Sequence, residues 1–74
     1  MEAYKNLGGD SGVAAYEISE ESVTVQFTTG AIYSYTYQSA GAANIEEMKT
    51  LAKHGEGLNS FIMKNVKNNF SIKS

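Results

Sequence analysis

The sequence predicts an α+β fold: a three-stranded antiparallel β-meander packed on one face by two C-terminal α-helices. Three observations predict it. Residues 13–37 alternate apolar with polar side chains and are rich in β-branched and aromatic types. Residues 44–66 instead space their apolar side chains by three and four. Gly30 stands where the first pattern turns back, and Gly55 where the first helix of the second pattern ends.

At 74 residues the chain is one small domain. Residues 1–11 are expected to be a flexible segment, because "LGGDSG" combines glycines with turn-forming polar residues. A single domain is expected over 12–70, followed by a C-terminal tail at 71–74. "VAAYEI" (13–18) reads as the first strand and "SEE" (19–21) as a turn. "SVTVQFT" is the second strand, with Val23, Val25 and Phe27 on one face and Thr24 and Gln26 on the other. "AIYSYTY" (31–37) is the third, and short connections make an antiparallel meander the simplest arrangement. "QSAGAA" (38–43) breaks the pattern. Asn44, with Glu47 three residues on, reads as an N-cap with a capping-box partner. Ile45, Met48, Leu51 and Ala52 then share a face, and Gly55 suits a left-handed C-cap. A second helix is expected over about 57–67, with Leu58, Phe61, Ile62 and Val66 as its stripe. Phe70 and Ile72 are candidates to fold back onto the core.

Two hairpin registers are available between the second and third strands, and they place Tyr33 and Tyr35 on opposite faces. A two-residue loop, Thr29-Gly30, sets the tyrosines beside Thr24 and Gln26 as an exposed stacking stripe. A three-residue loop, 28–30, pairs Val25 with Tyr33 and Val23 with Tyr35, and turns the rings toward the helices. Turn chemistry favours the second. A two-residue loop asks positive φ of β-branched Thr29, whereas the three-residue loop asks it only of Gly30. The opposite face then keeps Thr24, Gln26, Ser34 and Thr36, with Ile32 out of place.

The net charge is −2, with no cysteine and no arginine. Disulfides and thiolate metal sites are thereby excluded. Charge is unevenly spread: residues 1–48 hold seven acids and one lysine, and residues 49–74 hold five lysines and one acid. Lysine offers a point charge where arginine offers a bidentate fork, so any contact with nucleic acid is expected to be non-specific. An acid at position 2, no N-terminal apolar run and no stretch of about 20 apolar residues suggest a cytoplasmic protein without a membrane span.

These motifs, taken in order, resemble the KTSC domain. "VAAYEISEESVTVQF" carries Tyr16 followed by a V-x-V-x-F run, and Gly30 precedes Tyr33-x-Tyr35, matching the family's Y-x-Y motif. "GEGLNSFI" matches a Gly-x-x-aromatic-Asn-x-x-Ile pattern at Gly55, Asn59 and Ile62, with Leu58 in the aromatic position. The resemblance covers about residues 11–70. It implies a small domain of the kind found at the C-terminus of some lysyl-tRNA synthetases and as stand-alone bacterial or phage proteins. That family's function is not established; the synthetase context suggests RNA binding. The motif residues Gly30, Tyr33, Tyr35, Gly55, Asn59 and Ile62 are read as structural.

No catalytic constellation emerges. His54 lacks a cysteine partner or metal-ligand spacing, and its place beside Gly55 suits a helix C-terminus. Glu20–Glu21 and Glu46–Glu47 are adjacent pairs, a spacing that points side chains apart on a helix. Asn59 is expected to bond the strand edge or the Gly55 turn. Lys53, Lys64 and Lys67 are the candidate nucleic-acid contacts, and three phosphates would give a salt slope of about −2 to −3. The expectation is a non-enzymatic binding module with no cofactor and no metal, making weak electrostatic contact with RNA or DNA. The alternative is a protein-interaction or phage accessory module acting through the open sheet face or an edge strand, or as a homodimer.

Overall fold

A computed structural model describes residues 1–9 and 11–73. Five antiparallel strands lie side by side in chain order: β1 (Glu2–Ala3), β2 (Val13–Ser19), β3 (Ser22–Phe27), β4 (Ile32–Thr36) and β5 (Ile72–Lys73). Between β4 and β5 come α1 (Tyr37–Ala40), α2 (Ala42–His54) and α3 (Leu58–Phe61), the last continuing as a π-helical turn over Ile62–Val66. The α+β class and the central meander follow the sequence reading. The sheet has five strands where three were expected, and a third helix, α1, precedes the two that were foreseen.

The β3–β4 hairpin takes the three-residue loop. Val23 pairs with Tyr35 and Val25 with Tyr33. The Phe27 N–H donates to the Ala31 carbonyl (2.8 Å), the Gly30 N–H donates to the Phe27 carbonyl (2.9 Å), and Gly30 has φ +97°. Val23, Val25 and Tyr35 are buried against the helices. On the other face Thr24 and Ser34 share a hydroxyl hydrogen bond of 2.9 Å. In β2, Val13 and Tyr16 are both buried although three residues apart, a spacing that strict alternation forbids. A register shift between Val13 and Ala15 absorbs the extra residue.

The start of the chain, expected to be loose, is tied down. Glu2 pairs with Tyr16 and Ala3 with Ala15. Tyr4 is buried, and its hydroxyl accepts from the Leu58 N–H (3.2 Å), serving the start of α3 where Gly57 has no side chain to do so. The Leu7 N–H donates to the Gly55 carbonyl (2.8 Å). Residues 72–73, expected to be tail, pair with Tyr33 and Ser34 of β4. Asp10 and Ser74, which fall in those two expected segments, lie outside the described residues.

The expected Asn44 cap is also corrected. The capping box lies one element earlier: the Ser39 N–H donates to Thr36 Oγ1 (3.1 Å) and the Thr36 N–H donates to Ser39 Oγ (2.9 Å), which starts α1. Residues 38–43 therefore hold a helical turn and the start of α2. Asn44 lies inside α2 and donates to the Ala40 carbonyl (2.8 Å), serving the orphan end of α1. Gly55 is the left-handed C-cap as expected, with φ +88°. It is also a close-approach site, since a Cβ there would meet Lys5 Cβ at 2.5 Å. Ile45, Met48 and Ala52 of α2 and Leu58, Ile62 and Val66 beyond it are fully buried over the sheet.

Candidate functional site

The hairpin end of the sheet, the π-helical turn and the C-terminal strand enclose a groove of about 420 Å³. Its position follows from topology. β4 lies between β3 and β5, so Phe27 reaches Tyr33 from one side and Phe70, just before β5, reaches it from the other. Phe27 stands perpendicular to Tyr33 with ring centroids 5.6 Å apart. Phe70 stands perpendicular at 4.9 Å. Behind them Tyr35 stacks nearly parallel to Tyr33 at 6.5 Å. Edge-to-face contacts of this kind fix ring orientation beyond simple burial.

Two lysines flank these rings. Lys67 lines the groove, and Lys73 holds its ammonium 5.5 Å from the Tyr33 ring centroid. Among the described residues that line the groove there is no carboxylate. Met63, 45 % exposed, lies along the same wall. Among the described residues the groove thus joins an aromatic floor to positive charge alone, in a chain whose net charge is negative.

The tyrosine stripe is divided by this arrangement. Tyr35 is in the core, where burial first and Tyr33 second push its hydroxyl up to about 12. Tyr33 is only half-buried and floors the groove. Tyr37 starts α1, half-buried, and its hydroxyl donates to the Glu46 carboxylate. That hydrogen bond raises the Tyr37 pKa and lowers that of Glu46, with Lys49 adding to the latter at 2.9 Å.

The lysines proposed from sequence do not converge. Lys67 alone belongs to the groove. Lys64 is exposed on the π-helical turn and is not part of the groove wall. Lys53 lines a different hollow, beside Glu2, Tyr16 and Glu17 next to β1, where two carboxylates offset its charge. Asn59 lies against Gly12, whose Cβ would stand 3.6 Å from its amide nitrogen. No hydrogen bond from its side chain to the Gly55 turn or the sheet edge is found among the described residues. Gly30, Gly55, Tyr35 and Ile62 serve the turn, the cap and the core. His54 is exposed at the end of α2, with Nε2 3.7 Å from Glu56 Oε1. Among the described residues no three histidine, cysteine or acidic side chains come together as metal ligands. None of the described helices is long and apolar enough to cross a membrane.

Sequence reasoning missed Lys73; it offered Phe70 and Ile72 as residues folding back onto the core, and Phe70 does pack there, against Tyr33, whereas Ile72 is exposed. The alternation Phe70-x-Ile72 was the available signal, but a two-residue strand has too short a period to show its register. No family model, curated protein or solved structure matches this chain.

Proposed function

We propose that the chain is a small non-enzymatic binding module of the KTSC type, working in the cytoplasm and making weak electrostatic contact with nucleic acid. The observation that carries this reading is the groove at Tyr33, lined by aromatic rings and by Lys67 and Lys73, with no carboxylate among its described lining residues. A polyanion with planar, apolar parts complements both features. Two lysines give a salt slope of about −1.5 for a single strand, so the complex weakens several-fold between about 50 and 200 mM salt. Anisotropy titration of a labelled RNA across that range tests it. Binding at low salt with this shallow slope is expected, and no binding at the lowest salt overturns the reading.

A second reading, self-association or protein binding through the uncovered sheet face, is favoured by a different observation. Ile72, 61 % exposed, pairs opposite Ser34 on that face, two positions along β4 from Ile32. Light scattering across a concentration series separates the two readings. A monomer throughout removes self-association.

A further inference from the structure

We infer that the groove is a single-strand site: one unpaired base enters over the Tyr33 ring in place of the Lys73 ammonium, and its flanking phosphates meet Lys67 and the released Lys73. This rests on the nucleic-acid reading above and names the form of ligand that the same site takes.

Three features lead there. The first is size. About 420 Å³ lies within the roughly 300–1,000 Å³ range of small-molecule sites, so it has room for a base and its sugar but not for a helix. The second is the kind of surface. A duplex hides its base faces in the stack and offers phosphates alone, so the rings at Phe27, Tyr33 and Phe70 would be idle against it. Rings held perpendicular from β3 and from the segment just before β5, with Tyr35 stacked behind, form a preset aromatic seat.

The third is Lys73 itself. Its ammonium lies on the Tyr33 ring. A cation on a partly solvated aromatic face is held by a weak contact that a stacking base can replace. Once displaced, the lysine is beside the sugar–phosphate chain of the base that displaced it. Among the described residues no carboxylate of the groove stands by to draw it away. Stacking and charge neutralisation therefore come from the same exchange.

The test measures affinity for a short unstructured oligonucleotide and for the same sequence as a duplex, in RNA and DNA forms. Wild type, Tyr33→Phe, Tyr33→Leu and Lys73→Gln are compared across a salt series. A single strand is expected to bind about tenfold more tightly than the duplex. Tyr33→Leu should lose most of that preference with its salt slope unchanged, while Tyr33→Phe retains it. Lys73→Gln should reduce the slope by about 0.7. The chain has no tryptophan, so its tyrosine emission reports directly; it should fall on adding single strand and hold on adding duplex. That readout stands even if Tyr33→Leu proves unstable. Equal affinity for both forms, with no loss in Tyr33→Leu and no quenching, overturns the inference and leaves electrostatic nucleic-acid binding standing. Binding of neither form overturns both. Displacement of the oligonucleotide by polyglutamate at equal charge concentration points to acidic polypeptide and also overturns the inference.

Discussion

Tyr33 and Tyr37 stand four residues apart and are both half-buried, yet they belong to opposite kinds of surface. At Tyr37 the hydroxyl and the neighbouring Glu46 and Lys49 are already engaged with one another. Its hydroxyl bonds Glu46, Lys49 pairs with Glu46 at 2.9 Å, and the same ammonium donates to the Glu20 carbonyl at 2.6 Å. The Lys49 ammonium also lies 5.8 Å from the Tyr37 ring. At Tyr33 the charges of the described residues are both positive, and Lys73 lies over the ring with no carboxylate partner among them. The difference teaches that exposure of an aromatic ring says little about function. What matters is whether the neighbouring charges have found partners within the chain.

Tyr35 is the ring between the two ends, and removing it should break both. Tyr35→Ala empties a fully buried site, and a loss of about 3–5 kcal/mol is expected by chemical denaturation, enough to unfold a domain of this size. Alkali should act through the same ring. The Tyr35 hydroxyl is raised to about 12 from an ordinary 10, so the unfolded chain gives up its proton first. Stability is intact below about pH 10 and falls as pH rises toward 12, by on the order of 2–3 kcal/mol. Absorbance titration of tyrosinate with parallel melts checks this; a Tyr35 that ionises with the others would refute it. Next comes Tyr33→Leu, with an expected tenfold loss of single-strand affinity and little change in melting temperature, since the ring is at the rim. The smallest effect belongs to Tyr37→Phe. Glu46 is held below the usual carboxylate range by the Tyr37 hydroxyl first and Lys49 second. Its contribution is present above the unfolded carboxylate pKa and lost as pH falls through the folded one. Losing the hydroxyl should move the Glu46 titration, followed by NMR, upward toward its ordinary value, with oligonucleotide binding unchanged.

Much of the fold was legible because its signals are short-range. The Val23–Val25–Phe27 alternation set a face, and Gly30 was the one loop residue free to take positive φ, so the hairpin register could be argued from the 13 residues 23–35. Gly55 announced a helix end for the same reason. Asn44 misled because its side chain can serve either of two helices. It bonds the carbonyl end of α1, a helix whose own N-cap, Thr36, lay within what looked like strand and whose partner Ser39 lay in the stretch read as a break. Of the candidate site, Lys67 and Tyr33 were visible, the latter assigned to the core. Phe70 was read only as a residue returning to the core, and Lys73 was not seen, because their partner Tyr33 is 37 to 40 residues away.

The sequence by itself determined the class, the central meander, its inward face and the two glycine-governed stops, since each depends on contacts or dihedrals within a few residues. Tertiary structure alone decided the two outer strands, each two residues long and too short for any periodicity to reveal. It brought Tyr4 to the start of α3, 54 residues away, and laid Lys73 over Tyr33. Edge strands take their order from the sheet they join, so the groove they complete exists only once the core has formed.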